Sequence, residues 1–138
     1  MISTGINVTP APFFGDPHVV AVSVIFHTTS KDKDQDTLLD VTLSQGDGTV
    51  IAARSGIAGH WVEKTSHLIS LEMKTAPAKP EVEAVRLSLR IRPIGNEVWG
   101  FNVDTFVVFS DESVHMLKWT EVVLSTHVPD VVNEGEVR

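Results

Sequence analysis

A chain of 138 residues with 42% apolar and 21% charged side chains has the size and composition of one soluble domain with a real core, and excludes global disorder. Its 18 acidic and 11 basic residues leave a formal charge of -7, which argues against nucleic acid or an anionic membrane as a purely electrostatic partner. The absence of cysteine removes disulfides, thiolate metal sites and cysteine nucleophiles, and fits a cytoplasmic protein.

In chain order, residues 1–17 carry Pro10, Pro12 and Pro17 and read as an irregular arm, with Phe13-Phe14 as its anchor onto the body. No basic n-region or apolar h-region marks a secretory signal there. No window anywhere approaches the roughly 20 apolar residues of a membrane-spanning helix. From residue 19 to 27, Val20, Val22, Val24 and Phe26 alternate with smaller or more polar positions, the period of a strand. An acidic loop follows, Lys31-Asp32-Lys33-Asp34-Gln35-Asp36-Thr37, and then Leu39, Val41 and Leu43 resume the alternation. Asp47-Gly48 supplies a tight hairpin turn into a returning strand at residues 49–53.

Residues 60–62 read as a short edge segment, and residues 67–73 alternate through Ile69, Leu71 and Met73. After a proline-stiffened connection, Val85, Leu87, Leu89 and Ile91 face one way while Arg86, Ser88, Arg90 and Arg92 face the other. Pro93-Ile94-Gly95-Asn96 turns the chain into a long run through Trp99, Phe101, Val103, Thr105, Val107 and Phe109. Residues 114–119 and 121–124 are the last strand candidates, and residues 129–138 form a polar tail expected to fray. Helical periodicity is missing throughout. About eight strands separated by turn signals predict an all-β fold, an antiparallel two-sheet β-sandwich over residues 18–128.

The order of these pieces resembles the PLAT (lipoxygenase-homology) sandwich. Three blocks carry the likeness: the strand, Asp-rich loop and strand ending in Gly46-Asp47-Gly48; the strand Leu87-Ser88-Leu89-Arg90-Ile91; and the loop entering Trp99-Gly100-Phe101-Asn102-Val103-Asp104. Where that family has His-Asp-Asn this chain has Arg92-Pro93-Ile94, and Asn102-Val103-Asp104 stands near its Leu-Asp. The resemblance implies a non-catalytic module that docks on lipid, a partner protein or a neighbouring domain.

Among candidate sites, Asp32, Asp34 and Asp36 offer carboxylates to a hard cation such as calcium, with Asn96 and Glu97 adding oxygens from a loop at the same end. The alternative is a solvated loop balanced by Lys31 and Lys33. An EF-hand is excluded, because Thr37 replaces its glycine and Leu43 stands where its closing glutamate belongs. The row Arg86, Arg90 and Arg92 can clasp carboxylates or phosphates, or can form the wet face of a sheet paired with acids on neighbouring strands. Trp61, in a loop-like stretch, is the tryptophan best placed for exposure and ligand stacking, whereas Trp99 and Phe101 fit the core register.

No Gly-x-Ser-x-Gly, phosphate loop or HExxH is present. The expected function is a non-enzymatic module that recognises a protein, lipid or carbohydrate surface through its loops, with calcium as its candidate cofactor. A homo-oligomeric assembly protein and a small hydrolase or isomerase with a site on the sheet are the alternatives.

Overall fold

The computed structural model describes residues 16–82 and 84–136 of the chain. Nine strands lie among them: β1 Val19–Lys31, β2 Leu38–Gln45, β3 Val50–Ile57, β4 Ser66–Ser70, β5 Glu72–Met73, β6 Ala84–Arg92, β7 Val98–Phe109, β8 Val114–Ser125 and β9 Asp130–Glu136. A 3-10 turn at Lys79–Glu81 is the only helical piece among the described residues. The strands form two antiparallel sheets, one ordered β9-β6-β2-β3-β5 and the other β4-β1-β7-β8. The fold is the all-β two-sheet sandwich that period-2 alternation predicts.

That alternation points one side chain in two into the space between the sheets. Val24 and Phe26 of β1, Leu39 and Val41 of β2, Leu89 and Ile91 of β6, and Val103 and Phe109 of β7 are all 1% exposed or less. Each such burial contributes about 1.5–3 kcal/mol before chain entropy is counted. The β2–β3 hairpin closes where Gly48 adopts φ 95° and the Thr49 N–H donates to Asp47 Oδ1 at 2.9 Å.

Three elements differ from the sequence expectation. The alternating run at 67–73 is not one strand: β4 pairs with β1 in one sheet and β5 with β3 in the other. The crossing falls at Leu71, which is buried while its N–H donates to the Val22 carbonyl. Residues 114–124 make one strand, kinked where Glu121 takes φ 55° beside a register shift opposite Phe101 and Val103. The polar tail is in fact largely strand β9, paired with β6 from Asp130↔Arg90 to Glu136↔Ala84. Of the N-terminal arm, residues 1–15, including Phe13 and Phe14, lie outside the described residues.

At one end of the sandwich, four connections meet: residues 32–37 between β1 and β2, 58–65 between β3 and β4, 93–97 between β6 and β7, and 126–129 between β8 and β9. This is where the sequence places its acidic loop.

Candidate functional site

The acidic loop is closed by its own lysine. Lys33 is fully buried, and its Nζ donates to the carbonyls of Gly59 at 2.7 Å and Asp34 at 3.2 Å. The inward turn of Lys33 follows from a bulge. At the start of β1 a first register shift leaves Val19 buried and Val20 exposed, against the sequence expectation; the even-numbered residues then face the core from Val22 to Thr28, and a second shift between Thr28 and Lys31 reverses the parity. Gly100 sits opposite Lys31 there, and a Cβ on it would crowd Ser30 Oγ, so a larger residue at this position would have to turn the Ser30 hydroxyl aside.

Burial pushes the Lys33 amine below its ordinary range, while the charges of Glu97 and Asp34 pull partly the other way. Glu97, 5% exposed, turns inward as well. Its Oε1 accepts from the Asp34 N–H at 3.0 Å and from the Thr37 hydroxyl, and its own N–H donates to Thr126 Oγ1 at 2.8 Å. Asn96 beside it is exposed.

The structure therefore brings Glu97 to the acidic loop, as expected, but as an internal clasp. Asp32 Oδ1 accepts from the Glu63 N–H at 2.8 Å and its Oδ2 lies 3.4 Å from His60 Nε2. Asp34 and Asp36 are exposed. No group of three or more His, Asp or Glu side chains is arranged to hold a metal ion among the described residues.

Trp61 corrects the expectation of an exposed aromatic: it is 4% exposed. Its ring stacks on His67 at 4.7 Å and packs against Phe26 at 5.5 Å and Trp99 at 5.4 Å. Burial and then the Lys33 charge push the His67 imidazole below its usual range. Trp99, read as core, is fully buried and donates its Nε1–H to Thr28 Oγ1 at 3.0 Å.

The arginine row is paired with acids across strands. Arg92 grips Asp40 with two bonds of 2.9 and 3.0 Å, Arg86 Nε lies 3.4 Å from Glu134, and Arg90 Nε lies 3.6 Å from Asp130. The register sets two of these pairs, since β9 places Asp130 opposite Arg90 and Glu134 opposite Arg86. The outer face of the five-stranded sheet is thus a charged, wet surface.

The outer face of the other sheet is different. Cross-strand register lines up Leu68, Ile25, Asp104 and Lys118 in one row, Ser70, Ser23, Phe106 and Met116 in the next, and Ala21, Val108 and Val114 beyond. Leu68 is 63% exposed, Val114 53% and Met116 44%, with Ile25, Phe106 and Val108 half-buried between them. Sequence reading passed over this surface, yet a signal was present. The unbroken apolar run Phe106-Val107-Val108-Phe109 abandons alternation, which marks a strand apolar on both faces.

At the polar border of this surface, His27 joins Ser66 and Asp104. Its Nδ1 is 2.7 Å from Ser66 Oγ and its Nε2 is 3.1 Å from Asp104 Oδ2, while Lys118 Nζ lies 3.4 Å from Asp104 Oδ1. These residues are too far apart in sequence for any local motif to announce them. A shallow concavity elsewhere, at the β4–β5 crossing, is lined by Arg54, Ser70, Glu72 and Lys74, whose charged groups largely satisfy one another or the backbone.

A scan against protein-family models and a search of curated proteins return no match for this chain. No helix among the described residues is long and apolar enough to cross a membrane.

Proposed function

We propose that this chain is an interaction module whose recognition surface is the outer face of the four-stranded sheet and whose partner is an apolar protein surface. The observation that carries the reading is the asymmetry of the sandwich. One outer face is covered by Arg–acid pairs, and the other exposes Leu68, Ile25, Phe106, Met116, Val108 and Val114 as one strip. Exposed strips of this kind mark contact surfaces. The PLAT resemblance agrees in expecting a docking module, although recognition moves here from the loops to a sheet face.

The net charge of -7 disfavours anionic lipid as the occupant. A photo-cross-linking residue in place of Leu68 is expected to capture a partner protein that the same residue in place of Arg90 does not, with capture lost in a Met116→Lys background. Equal capture from both positions, or binding to neutral lipid vesicles alone, would sink the reading. A calcium-assisted form requires Asp34 and Asp36 to turn toward Asp32; it predicts a calcium-dependent rise in Tm that disappears in Asp34→Asn/Asp36→Asn.

One observation favours a second, hydrolytic reading. Ser66, His27 and Asp104 follow the order nucleophile, base, orienting acid at hydrogen-bonding distances. The group lies open on a sheet rather than in a closed cleft, which makes it the weaker reading. It predicts that a fluorophosphonate probe labels Ser66 and that His27→Ala abolishes the labelling.

A further inference from the structure

Strand β8 ends the four-stranded sheet, and its outer edge has the pattern of a dimer contact. The Phe109 N–H donates to the Ser113 carbonyl at 2.9 Å, which turns the odd-numbered residues of β8 toward β7. By strand alternation, the backbone groups of Val114, Met116 and Lys118 point to the open edge. Among the described residues, none of them bonds to a neighbouring loop or turn.

This segment, open among the described residues, is bounded on both sides. The turn at residues 110–113 closes one end and the kink at Glu121 closes the other, leaving seven residues centred on Leu117. Its inward side chains are also incompletely covered. Leu117 and Trp119 are only half-buried, whereas Val103 and Val107 on the adjacent strand are fully buried.

We infer that two copies of this chain pair β8 to β8, antiparallel, about a twofold axis through Leu117, joining their four-stranded sheets into one of eight strands. This register sets Met116 opposite Lys118, Val114 opposite Thr120 and His115 opposite Trp119, with Leu117 meeting its own copy. The even-numbered residues then supply main-chain donors and acceptors to each other in closely spaced pairs. The inward row gains an aliphatic pair on the axis flanked by two His–Trp pairs, covering the half-buried side chains with like partners. No two lysines stand directly opposite, and each Lys118 keeps its own Asp104 at 3.4 Å. The contact is isologous, so it closes at two copies. The dimer sets two apolar outer strips side by side, but the interaction-module reading does not require it, and a monomer would leave that reading intact.

The chain has no cysteine, which makes the register directly testable. In an antiparallel pair, the non-hydrogen-bonded residue on the axis brings its Cβ close to its own copy, to about 4.5–5.5 Å. Mild oxidation of full-length Leu117→Cys is expected to give a disulfide-linked dimer as the main product, while Val114→Cys, which faces Thr120, forms no cross-link. Sedimentation of the unmodified chain is expected to give twice the 15.1 kDa of one chain at high concentration. Met116→Pro removes an N–H that its own sheet does not use, so the fold survives on an edge strand while the mass returns to that of one chain. A wild-type mass of one chain at every concentration, equal cross-linking of Leu117→Cys and Val114→Cys, or a dimer that persists in a folded Met116→Pro variant would each overturn the inference.

Discussion

Lys33 and Trp61 hold each other through both backbone and side chain. Each backbone N–H donates to the other's carbonyl at 2.9 Å, and the Lys33 ammonium lies 4.9 Å from the centre of the indole. A charge is thereby fixed against a buried aromatic face, where cation–π attraction is stronger than at an exposed site because burial strips solvent from the pair. The pair ties the acidic loop to the segment before β4, and Glu97 ties the same loop to the segment before β7. At this end of the sandwich the loops are therefore locked to one another through Lys33 and Glu97.

Removing the lysine should loosen this lock. Lys33→Ala loses two bonds to carbonyls and the contact with Trp61, and leaves the part-buried Gly59 carbonyl without its ammonium donor. The expected loss is about 2–4 kcal/mol, read as a lower denaturant midpoint at unchanged slope. Lys33→Met, which refills the volume without the charge, should lose less. Equal stability of Lys33→Ala and wild type would contradict the lock.

The same lysine should give the protein an alkaline signature. Because burial lowers its folded pKa, the native state binds fewer protons than the unfolded chain between that lowered value and the ordinary 10.5. Stability should therefore rise as pH climbs through the lowered value and level off above the ordinary one. The chain has neither tyrosine nor cysteine, so lysines are the only side chains titrating in much of that range. Denaturant midpoints across an alkaline pH series should show the rise in wild type and not in Lys33→Met.

Gly59 admits a sharper steric test. It adopts φ 136°, a region that residues with a Cβ avoid, and an added Cβ would stand 2.7 Å from Trp61 Nε1. Its carbonyl is also the shorter acceptor of the Lys33 ammonium. Gly59→Ala is expected to cost about 1–3 kcal/mol and to alter tryptophan fluorescence, since the indole must shift. Unchanged stability and an unchanged spectrum would show that the loop relaxes freely.

On the charged face, Asp40 and Arg92 predict acid behaviour. Burial pushes the Asp40 carboxyl up, but the Arg92 guanidinium and the Gly56 N–H outweigh it and hold the net value below the ordinary 3.8. The pair's contribution is present above that ordinary value and is lost as pH falls through the lowered folded one. Part-exposed ion pairs of this kind contribute at most about 1 kcal/mol. Arg92→Ala should therefore lose a modest increment at neutral pH and converge on wild type in strong acid.

The fold was legible where one side chain in two met the core: β6, with its apolar and arginine faces, could be read directly from the chain. Strand β9 was not, because an edge strand with only Val131 and Asn133 turned inward among its described side chains carries no apolar period. Its one signal was electrostatic, the four-residue spacing of Asp130 and Glu134 that matches Arg86 and Arg90 in antiparallel register. Lys33 was illegible for another reason. A bulge reverses parity without leaving a motif, so a lysine that pattern reading assigns to solvent becomes interior. Trp61, two residues from a glycine, looked like loop; only the fold supplies the Phe26, His67 and Trp99 surfaces that bury it.

Thr105 shows where the alternation is kept but the chemistry is imperfect. It occupies an inward position of β7, is fully buried, and its Oγ1 has no hydrogen-bond partner. A hydroxyl taken from water without compensation opposes folding, whereas a methyl of nearly the same size does not. Valine also suits a strand interior at least as well as threonine. Thr105→Val should therefore raise stability by about 0.5–2 kcal/mol, seen as a higher Tm with the same cooperative transition. A loss of stability would mean that the hydroxyl is satisfied in solution by a buried water bridging it to the core backbone. A high-resolution crystal structure showing density at that position would then identify the water.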